Sequence, residues 1–380
     1  MEKPKVRISV RNLVEFILRS GDLDNSRGSS GDKEAMLKGG RLHRKIQRSM
    51  KGNYQAEVSL KRESEYEDTI IQVEGRADGI FTEDGEVWID EIKGTYGNLQ
   101  AMEMPVPVHR AQAMCYGWIY GEKEGLSQIG IQMTYSHLDT EDTRRFREIF
   151  SMEELKKWYQ ELLDAYHKWI AYSLSWKKER NASMTDLQFP FPYREGQREI
   201  VSGVYHTVSS KKTLFVQAPT GVGKTMSAIF PSVRAIGEGK GETLFYLTAK
   251  TITGTVAWEA FHTLRENGLK FKVTAITAKE KLCFLDSPEC TPEKCPYAKG
   301  HFDRVNDAVY ELWTTEEVYS REVIRAHAEK WQVCPFEMCL DLSVWVDGVI
   351  CDYNYAFDPN VHLKRFFGEN ISGDYIFLID

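Results

Sequence analysis

The spacing of apolar and polar residues predicts an α/β domain in the first part of the chain. Alternation with a period of two predicts strands at 56–60, 69–81 and 87–93, and an apolar run predicts another at 129–137. Helical spacing predicts four helices. The first covers residues 7–20, the second starts near residue 39, the third includes 109–116, and the fourth runs from Ser151 to about Trp176. The polar, Gly- and Ser-rich residues 25–38 are expected to form a loop.

A second domain is predicted after a change of composition at 177–192, where a polar run with two prolines is typical of a linker. Further along the chain, apolar runs predict strands at 213–216, 242–248, 271–277, 347–351 and 375–380. We therefore expect one domain over residues 1–176 and another over residues 193–380.

Composition restricts the possible classes of protein. The 380 residues are 42% hydrophobic and 28% charged, which is usual for two or three soluble globular domains. No secretory signal or membrane-spanning run is visible, so we expect a cytoplasmic protein with no membrane partner. The net charge is −7, and any nucleic acid must therefore bind to a locally basic surface.

A glycine-rich segment at 218–225 has the pattern of a phosphate-binding loop, and a helical run follows it. Glycine amides and a helix N-terminus bind phosphate groups, so Lys224 is expected to reach the β- and γ-phosphates of ATP and Thr225 to ligate Mg²⁺. The segment resembles the phosphate loop of superfamily 2 helicases. That resemblance makes Thr220, Gly221, Val222, Gly223, Lys224 and Thr225 nucleotide-binding residues. Upstream, Arg194 and Gln197 resemble the adenine-sensing pair of helicases.

Six of the seven cysteines lie after residue 280. Four thiolates suit zinc as well as an iron–sulfur cluster, and the residues alone leave this choice open. The order of phosphate loop, spaced cysteines, helical insert and Cys-Pro-aromatic resembles the XPD/DinG iron–sulfur helicases. By that resemblance, an insertion at 279–345 holds a [4Fe–4S] cluster through Cys283, Cys290, Cys295 and Cys334. Aromatic and basic residues at 303–331 suit either single-stranded DNA or helix packing.

Acidic residues on two neighbouring predicted strands suggest a second site. Asp78 ends one strand, and Glu91 and Lys93 share a face of the next, with Asp90 on the opposite face. Such a trio can hold Mg²⁺ or Mn²⁺ and activate a water molecule for phosphodiester hydrolysis. Asp90 in place of Glu91 remains an open alternative.

These acidic residues belong to a longer pattern that resembles the RecB-like branch of the PD-(D/E)xK nucleases over about residues 8–150. The matching residues are His43, Gly75-x-x-Asp78, Glu91-Ile-Lys93 and Gln112-x-x-x-Tyr116. The resemblance implies that His43, Asp78 and Glu91 hold the metal and that Lys93 serves the water. It also implies that Gln112 and Tyr116 support the site or contact DNA. Gln47 departs from the family, in which an acidic residue often stands four positions after the histidine.

Together the motifs predict a restriction-endonuclease-like mixed sheet followed by a RecA-like parallel sheet with an iron–sulfur insertion. The expected function is a 5′–3′ ATP-dependent DNA helicase with a nuclease domain, acting on single-stranded or forked DNA in repair or replication. The final residue, Asp380, matches the first position of the Mg²⁺-binding Asp-Glu-Ala-His motif, so we expect a fragment without ATP turnover. The alternatives are a nuclease with an inactive motor half and a metal- or redox-sensing DNA-binding module.

Overall fold

The computed structural model describes residues 3–26, 32–50, 52–249, 251–368 and 373–380, without the side chains of residues 32–36 and 251–253. Contacts divide the chain into two compact units. The N-terminal unit comprises the residues up to Ser20 and Asn25–Ala171, and the C-terminal unit comprises Gly21–Asp24 and Tyr172–Asp380. No helix among the described residues combines the length and the apolar character needed to cross a membrane.

A mixed sheet forms the N-terminal unit, which confirms the predicted α/β class. Its strands are β1 (Lys5–Ser9), β2 (Gln55–Glu65), β3 (Ile70–Glu83), β4 (Glu86–Thr95), β5 (Gln128–His137) and β6 (Thr143–Ser151). β3 pairs in parallel with β1 and antiparallel with β2 and β4. β5 pairs in parallel with β4 and antiparallel with β6, and it is buried along almost its whole length.

Four long helices begin in this unit. They are α1 (Val10–Ile17), α2 (Asp32–Ser49), α3 (Pro107–Glu124) and α4 (Met152–Thr185). The Ser9 hydroxyl accepts a hydrogen bond from the Asn12 amide at 3.1 Å and so caps α1. Before α4, the amides of Ser151 and Glu154 each donate to the other residue's side chain, at 2.9 and 3.2 Å, in a capping box.

Two helices are longer than the sequence pattern predicts. α2 begins at Asp32, inside the segment 25–38 that we expected to be a loop. α4 continues to Thr185, inside the expected linker. Both extensions consist largely of Lys, Glu, Arg, Ala and Met, which favour helix even where no apolar stripe accompanies them. Loss of hydrophobic periodicity therefore does not mark the end of a helix here.

A five-stranded sheet, in which every neighbouring pair is parallel, forms the C-terminal unit. Its strands are β7 (Thr243–Thr248), β8 (Val273–Ile276), β9 (Val318–Tyr319), β10 (Gly348–Asp352) and β11 (Tyr375–Ile379), in the spatial order β11-β7-β10-β8-β9. The helices are α5 (Gln197–Ser209), α6 (Lys224–Gly237), α7 (Thr251–Glu266), α8 (Lys279–Leu282), α9 (His301–Thr315), α10 (Arg321–Trp331), α11 (Pro335–Leu342), α12 (Asn354–Phe357) and α13 (Lys364–Phe367). α6 and α7 pack on the sheet through one apolar core.

The strand predicted at 213–216 is wrong. The segment has no strand assignment, and the Phe215 side chain is 93% exposed. Its composition favours a strand, but a strand requires a neighbour to complete its hydrogen bonds. The described sheet offers this segment no pairing. Composition alone therefore identified a segment that could form a strand, without identifying the pairing that the strand would need.

A buried carboxylate ties α4 to the parallel sheet. Asp347 is 4% exposed, as is its partner Arg180, whose Nη1 lies 2.8 Å from Asp347 Oδ1. The indole of Trp176 and the backbone amide of Lys272 both donate to Asp347 Oδ2, each at 2.8 Å. Because both charges are buried, each depends on the other and on these hydrogen bonds for its compensation.

We expect Asp347→Ala to destabilise the C-terminal unit by about 3–5 kcal/mol, because it leaves the Arg180 charge buried without a partner. Denaturant unfolding measures the change in the free energy of unfolding. The matched control is Glu242→Ala, which removes the exposed ion pair with Lys177 and should change stability by less than about 1 kcal/mol. Equal effects of the two substitutions would contradict the prediction.

Candidate functional site

The first candidate site lies in the N-terminal unit, where β3 and β4 bring two acidic residues together. In the antiparallel register, Gly79 lies opposite Asp90, so the next position along the strands places Asp78 opposite Glu91. Asp78 Oδ2 accepts a hydrogen bond from the Ile92 amide at 2.7 Å, and its Oδ1 lies 3.6 Å from His43 Nδ1 on α2. The predicted ligands from three separate segments thus lie close to one another.

Lys93 links the second carboxylate to α3. Its Nζ lies 2.8 Å from Glu91 Oε1 and donates to Gln112 Oε1 at 3.0 Å. Glu91 is 2% exposed, and its Oε2 has no hydrogen-bond partner among the described residues. Burial, assisted by the nearby Asp78 carboxylate, raises the pKa of Glu91 to about 8. This side chain is therefore poorly compensated when it is ionised.

Asp90 has a different environment on the other side of β4. Its Oδ1 accepts hydrogen bonds from Thr134 at 2.6 Å and Gln132 at 3.0 Å, and its Oδ2 accepts one from the Tyr54 hydroxyl at 3.0 Å. Burial raises its pKa, while these hydrogen bonds oppose the shift. Because both oxygens already have protein donors, the geometry favours Glu91 over Asp90 as the metal ligand, and the assignment stays a prediction.

A cavity of about 510 Å³ opens above these groups. Its lining includes the predicted residues His43, Gly75, Asp78, Gln112 and Tyr116. A Cβ at position 75 would lie 2.7 Å from the Tyr116 hydroxyl, so the close approach of Tyr116 to β3 requires glycine there. This contact gives a physical reason for the glycine three residues before Asp78.

Gln47, which departs from the resembled pattern, has a structural role of its own. Its Nε2 donates to the Asp78 carbonyl and to Glu57 Oε1, each at 2.9 Å. A carboxylate at this position could not donate either hydrogen bond. The sequence pattern shows that Gln47 departs from the family. Its structural role becomes visible only from the contact between α2 and β3.

The structure does not contain a preformed metal cage. No group of three or more His, Cys, Asp and Glu side chains in the described ranges is arranged to hold a metal ion. This finding covers both the nuclease-like residues and the cysteines. Each proposed metal site therefore depends on the chemistry of the donors and on smaller adjustments of their side chains.

The second candidate site is the phosphate loop of the C-terminal unit. Gly221 and Gly223 have φ angles of +84° and +83°, which few other residues adopt, and α6 begins at Lys224. The Lys224 Nζ donates to the carbonyls of Ala218 at 2.9 Å and Pro219 at 3.2 Å. The loop thus combines glycine backbone, a helix N-terminus and an ammonium group, which together suit an anion.

The two upstream residues predicted to sense adenine contact this same loop. Gln197 Nε2 donates to the Val222 carbonyl at 2.9 Å, and its Oε1 accepts from the Arg194 amide at 3.0 Å. The Arg194 guanidinium donates to the Gly221 carbonyl. Arg194 and Gln197 therefore brace the loop, whereas their contact with a base stays a prediction.

Tyr246 on β7 was missed by sequence reasoning, although it joins two predicted Mg²⁺ ligands. Its hydroxyl donates to Asp380 Oδ2 at 2.6 Å and is also hydrogen-bonded to Thr225. Burial, followed by the hydrogen bond with Asp380, raises the pKa of Tyr246. Its inward position on a predicted strand was the only signal in the sequence.

The four predicted cysteine ligands all lie in the C-terminal unit. Cys295 and Cys334 belong to one buried cluster with Leu23 and Ala298. The Lys279 ammonium is hydrogen-bonded to the Cys290 sulfur and lies near Cys334. The Arg325 guanidinium donates to the carbonyls of Leu282 and Cys283 at 2.6 and 2.8 Å. These contacts gather the four segments, without bringing the sulfurs into one ligand set.

Comparison with known proteins gives a short sequence similarity to a helicase and partial structural similarities, including those to an XPD helicase and to SSO0001. A stretch of 47 residues is 40% identical to the probable ATP-dependent helicase MJ0942 of Methanocaldococcus jannaschii, and it covers 12% of this chain and 7% of that relative. An XPD helicase structure aligns at a TM-score of 0.33 and 17% identity, over 50% of this chain and 32% of that one. The crystal structure of SSO0001 aligns at a TM-score of 0.28 and 20% identity. The alignment covers 43% of this chain and 78% of that one. No protein-family model matches the chain.

Proposed function

We propose that this chain is part of an ATP-dependent DNA helicase of the XPD/DinG type that also carries a metal-dependent nuclease site. The short similarity to a probable ATP-dependent helicase supports the motor assignment. The main observation in favour of this assignment is that Thr225 and Asp380 are both hydrogen-bonded to the Tyr246 hydroxyl. Thr225 and Asp380 are the two residues expected to hold Mg²⁺.

The nucleotide chemistry follows from the residues of the loop. Backbone amides of the loop and the N-terminus of α6 would bind the phosphates, and Lys224 would leave its two carbonyl partners for the β- and γ-phosphates. The oxygens of Thr225 and Asp380 suit Mg²⁺, which neutralises phosphate charge when it is bound. Arg194 and Gln197 would hold the loop in its binding conformation.

The nuclease assignment is supported by the convergence of His43 on Asp78 and of Lys93 on Glu91, on two paired strands. His43 and Asp78 line one cavity. Glu91 Oε2 is buried without a hydrogen-bond partner, and Asp78 lies beside it, so these oxygens fit a hard divalent cation. Such an ion would polarise a phosphodiester when bound. Lys93 would orient the attacking water, and Gln112 would hold Lys93 in place.

We expect Glu91→Gln to abolish Mg²⁺- or Mn²⁺-dependent cleavage of DNA, because the amide cannot supply an anionic oxygen to the metal. Release of labelled fragments from single-stranded DNA measures this activity. The matched control is Glu86→Gln, at the start of the same strand and outside the cavity, which should retain cleavage. Cleavage by Glu91→Gln at the wild-type rate would contradict the nuclease proposal.

The same variant tests the effect of the buried Glu91 carboxyl on the pH dependence of stability. Its pKa rises from 4.5 to about 8 on folding, so the unfolded chain releases this proton at lower pH and wild-type stability declines between these values. In the presence of a chelator, Glu91→Gln should therefore gain stability relative to the wild type as the pH rises from 5 towards 8. A stability difference between the variant and the wild type that stays constant from pH 5 to 8 would contradict this account.

We expect Lys224→Ala to weaken the binding of Mg²⁺–ATP by about tenfold or more, since it removes the cation that faces the phosphates. Isothermal titration calorimetry with ATP measures the dissociation constant. Lys240→Ala, which removes an exposed lysine after α6, is the matched control and should bind as the wild type does. Equal affinity of the wild type and Lys224→Ala would contradict the motor assignment.

We also propose that Cys283, Cys290, Cys295 and Cys334 hold a [4Fe–4S] cluster, since thiolates are the donors that such clusters use. Protein prepared anaerobically should contain iron and acid-labile sulfide. Cys334→Ser should lose most of both, whereas Cys115→Ala, which changes a buried thiol of the N-terminal unit, should retain them. Zinc in place of iron, or an equal metal content in Cys334→Ser, would contradict this assignment.

A further inference from the structure

Helix α2 presents a row of exposed arginines beside the nuclease-like cavity. Arg41, Arg44 and Arg48 are spaced by three and four residues, so they lie on one face of the helix, and all three are exposed. No acidic side chain in the described parts of the chain forms an ion pair with any of them. Elsewhere on α2, Lys38 and Lys45 do pair with acidic residues.

The position of this arginine face relative to the acidic residues is fixed. Leu42 and Ile46, on the opposite side of α2, are buried against Ile92 of β4. Gln47 donates to the Asp78 carbonyl, and His43 lies beside the Asp78 carboxylate. The helix is thus held to the strands that carry the proposed metal ligands, and it cannot turn its arginines away without breaking these contacts.

The arginine face continues into the cavity itself. Arg44 follows His43 in sequence, and both side chains line the cavity, together with Arg11 and Arg76. Arg11 pairs with Glu15, and Arg76 pairs with Glu57. Arg44 forms no ion pair with any acidic side chain in the described parts of the chain. A positive charge without a described ion-pair partner therefore lies in the lining of the cavity that also includes Asp78.

We propose that the arginine face of α2 binds the phosphate backbone of single-stranded DNA and leads the strand into the nuclease cavity. This inference rests on the proposed nuclease function. Residues 41–48 span about 10 Å along the helix, so the three guanidinium groups can each contact a separate phosphate of one strand. Charge complementarity selects a polyanion, and the proposed nuclease function makes that polyanion single-stranded DNA.

The test measures DNA binding separately from cleavage. Fluorescence anisotropy with a labelled single-stranded oligonucleotide, in the presence of a chelator, compares the wild type with the triple variant Arg41→Gln/Arg44→Gln/Arg48→Gln. The matched control is Lys61→Gln/Lys156→Gln/Lys157→Gln, which removes three exposed charges from the same unit away from the cavity. Circular dichroism and thermal melting establish that both variants are folded.

Three lost phosphate contacts should lower the slope of log affinity against log salt by about 2, since each contact to a single strand contributes about 0.7. Raising the salt from 50 to 200 mM should then weaken wild-type binding about 20-fold more than binding by the triple variant. The control variant should keep the wild-type slope. The inference would be overturned if both variants kept the wild-type salt slope, or if the slope fell by the same amount in both.

Cleavage assays on the same proteins separate this inference from the proposed nuclease function. With Mg²⁺ or Mn²⁺, the triple variant should show a raised KM for single-stranded DNA, and the control should not. Normal cleavage by the triple variant at low DNA concentration would overturn the inference and leave the nuclease intact. Loss of binding only in the triple variant, without any wild-type cleavage, would support the arginine face and overturn the nuclease.

Discussion

The pairing of β3 with β4 is the constraint on which the N-terminal site depends. Asp84 and Gly85 connect these strands, and both have positive φ angles, of 52° and 84°. A two-residue loop of this kind sets the register of a hairpin, here with Glu83 opposite Glu86. A slip of one residue would turn the Glu91 side chain away from Asp78 and bring Asp90 beside it. The Asp-Gly turn therefore determines which of the two carboxylates lies beside Asp78.

The C-terminal unit uses parallel pairing for a similar purpose. β7 and β11 are neighbours, and Tyr246 and Leu378 face each other in their register. The Asp380 amide donates to the Leu247 carbonyl at 2.9 Å, which holds the end of β11 at the end of β7. This is the edge at which parallel sheets place their ligands, and Thr225, in the first turn of α6, is hydrogen-bonded to Tyr246 there. Residues far apart in sequence thus meet because two strands end together.

Most of the fold could be predicted because hydrophobic periodicity reflects burial directly. β3, β4 and β5 follow the predicted ranges closely, and the parallel order of the second sheet agrees with the expected class. The segment 213–216 failed because a strand depends on a partner that its own composition does not reveal. Gln47 and Tyr246 escaped notice for a related reason, since each acts on a residue that is distant in sequence.

The charges beneath the N-terminal cavity also argue against a purely structural trio. Lys93 lies close to one oxygen of Glu91, and the other oxygen is buried without a hydrogen-bond partner among the described residues. Asp78 adds a second carboxylate nearby, so one ammonium faces two acidic groups. A structural pair would be more stable if both oxygens were satisfied or replaced by apolar groups. The arrangement lowers stability at high pH, and a bound divalent cation would remove that penalty by neutralising both carboxylates.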